Sequence, residues 1–498
     1  MTGNDFSSEA QPREVGAWTA IGGNVGHLIS GGNFHGNVYM GIERDLLVAT
    51  PIDPDEIERC RATFADHPLL AEARVALERG SAVALLGQPG CGRRTTGIVL
   101  LASLGIVPGR VVLDAEDFGR HLEITSHHGY LLDLDENSDQ LTLKAGDWIS
   151  GLARQLRSVN SCLIVRARRD SWRALGISEE AFPVIALTTP PAIQVFRAHL
   201  ASRISAPAAD AWAQHELIRH HLGAATAPDG VRLARIAARA SATTVSFDEQ
   251  VDQAIAEYRN WADQLAGWFQ STSGPDGAYR RALLLATAAL EGAPAATVFA
   301  AADRLARLVE LPRQPGGALT GPDAGELVRQ IEAKLSQDAS IRFPRPAFGT
   351  SALDHVWSQR PQLHVDLREW LTDIPGSGHK DSHLAAHSLT RLAIRQREPG
   401  LVCAAARHWA QESASRRELA VTELTEAALS EEIGRDVRRQ LYDWARTTSA
   451  GEAVHLVVAL VCAGQLARQY PQIVLTRLRH LVGRPNEIVR ESVFEGFW

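Results

Sequence analysis

The segment Ser81-Ala-Val-Ala-Leu-Leu86 runs directly into Gly87-Gln-Pro-Gly-Cys-Gly92, and a helical apolar period begins at Thr95. A short apolar run bounded by glycine reads as a strand buried on both faces, and the glycines after it let the chain turn tightly into a helix. Strand, glycine loop and helix in this order point to a parallel sheet wrapped by helices. The loop also matches most of the pattern GxxxxGK[ST], with Gly87 and Gly92 at the glycine positions. Missing side chains there let successive backbone N–H groups curl around phosphate oxygens at a helix N-terminus.

The loop departs from the pattern where chemistry is concerned. Arg93 stands in place of lysine; it keeps the charge and can contact phosphate through two N–H groups, but its planar fork is bulkier than an ammonium. Arg94 replaces the hydroxyl that would hold magnesium, and the first hydroxyls follow at Thr95 and Thr96. The expectation is a nucleotide-phosphate site at Gly87, Gln88, Pro89, Gly90, Cys91, Gly92, Arg93, Arg94 and Thr95, with Thr95 as a magnesium ligand and hydrolysis impaired. A glycine-rich turn with no ligand is the plain alternative.

Later apolar runs supply partner groups. GYLLDLDEN predicts a strand over Tyr130–Asp133 ending beside the loop, which makes Asp133 the candidate to hold Mg2+ or its water. Asp135 and Glu136 are candidates to activate an attacking water, although acids after a strand also read as a solvated turn. SCLIVRARRDSW predicts the next strand, and Arg168 beyond it is the candidate γ-phosphate sensor. The ordinary reading of Arg166, Arg168 and Arg169 is a water-facing cluster.

Strands are expected at Ser81–Leu86, Arg110–Asp114, Tyr130–Asp133, Ser161–Val165 and Pro183–Leu187, with helices at Thr95–Leu104 and Leu143–Val159. Residues 50–200 thus read as a doubly covered α/β sheet. Amphipathic segments such as VRLARIAARA predict a helical lid over 201–274. YRRALLLATAALEGA through SIRFPRPAFG suggests helices followed by a small wing, a winged-helix-like module over 275–351. From 352 to 498 helical pieces recur, with Trp370, Trp409 and Trp444 near corresponding ends, suggesting a HEAT-like α-solenoid. Phe494, Phe497 and Trp498 at the end are read as packing on the preceding helix, with a docking tail as the alternative.

A chain of 498 residues can bury several cores, and its five cysteines lie far apart without CxxC spacing, which argues against a disulfide framework or a zinc finger. They read as buried thiols in a reducing cytoplasm. The N-terminus lacks a signal-peptide layout and no apolar run reaches membrane length, so a cytoplasmic chain without membrane contact is expected. With 51 basic and 58 acidic side chains the net charge is −7, which disfavours nucleic acid as a partner.

With GQPGCGRRT, LLDLDE and LIVRARRD in this order and helical modules behind them, the chain resembles the STAND-type signalling ATPases, relatives of the AAA-like apoptotic and NACHT receptor ATPases, in a form similar to those of actinobacteria. The resemblance covers about residues 50–350 by motif and the solenoid by architecture only. It implies an ATP/ADP-binding switch in which nucleotide exchange converts a closed monomer to an open homo-oligomer. The repeats would sense a protein trigger, and the N-terminal segment would recruit a protein effector. It also implies phosphate contacts at Gly87, Gly92 and Arg93, a metal role for Asp133, a sensor role for Arg168, and Glu136 ahead of Asp135 as the water-activating acid. Within residues 1–42, GNVGHLISGGNFHGNVYMG is similar to amyloid-signalling motifs that precede some bacterial receptors of this type, and short β-prone, Asn-containing segments can stack in register. A disordered leader or a docked hairpin is an equal reading, with His27 and His35 as surface residues.

Three functions follow. The first is a nucleotide-dependent signalling switch, in bacterial defence by the resemblance. The second is a catalytically inactive nucleotide-binding scaffold that uses its helices for protein interaction. The third is a winged-helix transcription regulator, disfavoured because Arg280, Arg281, Arg304 and Arg307 are interspersed with acids.

Overall fold

A computed structural model describes residues 46–482, apart from 66–68, 89, 114–116, 136–140, 180–181, 260, 312–320, 346 and 375–380. The leader 1–42, Pro89, Glu136, Phe494, Phe497 and Trp498 therefore lie outside the described residues.

The apolar runs form a mostly parallel sheet. Its strands are β1 (Thr50–Pro51), β2 (Ala82–Leu86), β3 (Val107–Val112), β4 (His128–Asp133), β5 (Cys162–Ala167) and β6 (Val184–Ala186), in spatial order β1-β3-β4-β5-β2-β6. All neighbours are parallel except β1, which pairs antiparallel with β3 through Thr50↔Arg110 and Pro51↔Gly109. Sequence periodicity misses this edge because two residues carry no period, and proline is tolerated where one side of the strand is unpaired. It also starts β3 and β4 late. β3 runs through Pro108 and Gly109, and in β4 a Cβ on Gly129 would press on the ends of the Leu101 and Ile106 side chains.

Alternation along the strands divides the sheet's two faces. Ala82, Ala84, Leu86, Tyr130, Leu132, Leu163 and Val165 pack with Ala145, Ile149, Leu152 and Leu156 of the helix Leu143–Ser158. Val83, Leu85, Leu131, Ile164 and Ile185 pack instead with Ala73 and Leu77 of Leu70–Gly80 and with Ile98, Leu100 and Leu101 of Arg93–Ser103. Both faces are covered, as continuous apolar strands require.

Helices follow. Those between Ala192 and Tyr258 share one core, centred on Phe196, Trp212, Leu233 and Val251. This core begins at Ala192, ahead of residue 201, because the helix Ala192–Ala201 packs on Ala227–Ala240, where the Gly230 α-carbon meets the Ala192 carbonyl. The helix Ala262–Ser271 belongs to the next core, through Leu265, Trp268 and Phe269. That core is continuous from Leu265 to Leu481, through the hairpin Lys334–Leu335 with Ile341–Arg342 and the helices behind it. Trp370 and Trp409 are fully buried, and each indole N–H donates to a carbonyl on an earlier segment, Ala301 at 2.9 Å and Thr372 at 2.7 Å. All five cysteines are free. Among the described residues, no helix is long and apolar enough to cross a membrane.

Candidate functional site

The glycine loop closes on itself as its sequence demands. Gly90 and Gly92 have φ of +86° and +84°, a left-handed region that side chains rarely enter. Gly87 has a different constraint: a methyl group there would collide with Cys91 Sγ and lie 2.9 Å from the Leu187 carbonyl oxygen. We expect Gly87→Ala to destabilise the chain by about 1–3 kcal/mol, the scale of overpacking, read as a lower unfolding midpoint. An unchanged midpoint would show that the loop can yield. The helix starts at Arg93, two residues earlier than expected, with Gly92 as its N-cap and no capping side chain. A helix N-terminus of this kind suits an anion.

Strand order decides which side chains meet. The strand ending at Asp133 is not the immediate neighbour of the strand that leads into the loop, because β5 stands between β4 and β2. Periodicity identifies buried parallel strands but not their order. In consequence Arg166 is the register partner of Asp133 on one side and of Leu85 on the other. An ion pair joins Arg166 to Asp133, whose Oδ1 also accepts the Asp135 N–H at 3.0 Å. Burial pushes the Asp133 carboxyl up, but the charge and hydrogen bond of Arg166, the Asp135 N–H and the charge of Arg93 outweigh it and hold the group below the ordinary aspartate range.

The two loop arginines are also paired. Arg93, 5% exposed, binds Asp135 with both ends of its fork, Nη1–Oδ1 at 3.1 Å and Nη2–Oδ2 at 2.8 Å. Arg94 reaches Glu56 at 2.7 Å, and Arg110 meets the same Glu56 oxygen at 2.7 Å. Burial alone would raise the Glu56 carboxyl; the two guanidinium groups lower it. Glu56 sits in the first turn of Pro54–Ala62, a helix started by Pro54 and by Asp53, whose carboxylate accepts the Asp55 N–H at 2.8 Å. Among the described residues of the cluster, Arg93, Arg94, Arg110 and Arg166 face Asp133, Asp135 and Glu56, an excess of positive charge. Thr95 is half-buried in the first helical turn, Gln88 and Gly90 are exposed, and Cys91 is buried. Arg168 is exposed as N-cap of Arg169–Ala174, and no ion pair joins it to the loop among the described residues.

Arg94, Arg110, Leu131, Asp133 and Arg166 line a cleft that Tyr470 closes from the C-terminal helices. Its volume of about 10 Å3 has room for roughly one water. Arg438 lies over the Tyr470 ring, 4.1 Å from its centroid, and Gln472 donates to the Val48 carbonyl at 3.2 Å, so both flanks of Tyr470 are anchored. Glu56, Arg110, Arg166 and Tyr470 are the members that sequence reading did not single out as site residues. Arg166 had a signal, since alternation places it with Cys162 and Ile164 on one face. Glu56, Arg110 and Tyr470 arrive from distant segments and leave no local sign.

Loop geometry and charge excess fit a phosphate group. Of the two residues expected to hold magnesium, Thr95 stands in the first turn of the helix behind the loop and Asp133 is ion-paired with Arg166. No family model matches the chain, and no curated protein matches it. Among solved structures, the Thermotoga maritima RuvB Holliday junction branch migration motor is similar at 14% identity and a TM-score of 0.27, covering 60% of this chain and 94% of that one. A likeness this distant transfers neither residues nor activity.

Proposed function

We propose that this chain is a nucleotide-dependent switch that acts by binding a nucleoside di- or triphosphate at residues 87–95, with little or no turnover. The observation that supports it is the bidentate Arg93–Asp135 pair. A guanidinium fork donates to two oxygens of a carboxylate or of a phosphate, so a bound phosphate competes with Asp135 for the same donors. Occupancy would free Asp135 and disturb the network that reaches Asp133 and, through the cleft, Tyr470. Phosphoryl transfer, by contrast, asks for a free metal-binding acid, and Asp133 is engaged. Oligomerisation, effector recruitment and a defence role rest on the resemblance to STAND-type ATPases. The same ion pairs also favour the reading of an inactive nucleotide-binding scaffold. A DNA-binding role is not favoured: Arg281 donates to the Phe269 carbonyl and Arg304 is ion-paired with Asp373.

Calorimetric titration with ATP and ADP, with and without Mg2+, and a phosphate-release assay test this. We expect binding that depends little on Mg2+ and release no faster than the protein-free blank. Absence of binding at millimolar nucleotide sinks the proposal, and rapid Mg2+-dependent release sinks its non-turnover part.

A further inference from the structure

The helices Ser382–Gln396 and Ala414–Leu429 pack against each other within the C-terminal core. Where they face, the first contributes His387 and the second Glu423 and Glu426. The i,i+3 spacing of the two acids places them on one side of their helix. The three side chains offer ligand atoms that all lie within 4.8 Å of one another. His387 Nδ1 is 3.0 Å from the Glu426 carboxylate, and the two side chains are 46% and 38% exposed, so the cluster opens to solvent on that side. Glu423 closes the other side: it is 3% exposed, the Thr390 hydroxyl lies beside its carboxyl group, and its Oε2 is shielded from water with no hydrogen bond of ordinary geometry.

A buried carboxylate oxygen without a partner is costly, and proteins resolve such groups with a donor, a proton or a metal ion. We propose that His387, Glu423 and Glu426 bind a divalent transition-metal ion of the zinc class, which ties the two helices together. One imidazole nitrogen and two carboxylate oxygens form a mixed set that suits zinc or cobalt; magnesium and calcium favour oxygen alone. Three protein ligands leave one tetrahedral position for water on the exposed side. The metal satisfies Glu423 and links its helix to the one bearing His387. The site is separate from the glycine loop and does not depend on the nucleotide reading.

The test uses the full chain after chelation and desalting, titrated with zinc chloride alone. One tightly bound zinc per chain and a raised unfolding midpoint, reversed by EDTA, are expected. Cobalt(II) should give the intense visible absorption of a four-coordinate site. His387→Gln and Glu426→Gln alter partly exposed side chains and should each weaken zinc binding by at least about tenfold. Glu423→Gln should do the same, while His220→Gln, at a surface histidine elsewhere, should leave it unchanged. The assignment is overturned if no zinc binds, if Glu423→Gln retains full affinity, or if His220→Gln weakens binding as much as the site variants do.

Discussion

Replacing Asp135 with asparagine is expected to lower the unfolding midpoint of the ligand-free chain, with ADP or pyrophosphate restoring most of the loss. Arg93 is 5% exposed and Asp135 20% exposed, so the substitution leaves a shielded guanidinium without its counter-charge. Breaking one side of such a pair costs about 3–5 kcal/mol, and partial exposure of Asp135 sets this one near the lower end. Phosphate supplies the missing oxygens at the same fork, so ligand stabilisation should be larger in Asp135→Asn than in the parent chain. Differential scanning fluorimetry across a ligand series reads both effects. Equal ligand shifts in the two proteins would mean that phosphate does not reach Arg93, and the proposed competition would be wrong. A loss with no rescue by any phosphate would leave Arg93–Asp135 as an ordinary structural pair.

The part of this site that was legible in sequence is the part built locally. Gly87, Gly90 and Gly92 announce the loop because the tight turn and left-handed backbone must be encoded where they occur. The five parallel strands were readable because burial on both faces forces continuous apolar runs. Strand order was not, since every such run looks alike, and the order puts Arg166 opposite Asp133. Arg168 drew attention as the arginine beyond the apolar run, yet the cluster forms around the arginine inside it. Glu56 meets Arg94 and Arg110 across 38 and 54 residues of sequence, a contact created by packing Pro54–Ala62 against Arg93–Ser103. Likewise Trp370 and Trp409 were visible as recurring aromatic residues, but the carbonyls that receive their indole N–H groups depend on how successive helices stack.

Arg166→Gln is expected to destabilise the chain by about 3–5 kcal/mol at pH 7, with a smaller cost at pH 4. In the parent chain the Asp133 carboxyl is held below its ordinary value of 3.8 because the guanidinium and its companions outweigh burial. A depressed carboxylate contributes stability that is complete above the unfolded value and is lost as pH falls through the folded one. Removing Arg166 reverses the sign. Burial is then opposed only by the Asp135 N–H and Arg93, the folded value rises, and the cost of ionising Asp133 grows as pH climbs from 4 to 7. Urea unfolding of both proteins in EDTA at the two pH values, where no divalent ion competes for the acid, should show the gap widening with pH. A gap that stays constant would assign Arg166 a packing role and leave Asp133 free to take a metal. A widening gap means that Asp133 already has its counter-charge in the sheet, in which case a nucleotide can alter this network only by displacing its arginines, and binding, not hydrolysis, is the event the site is built to register.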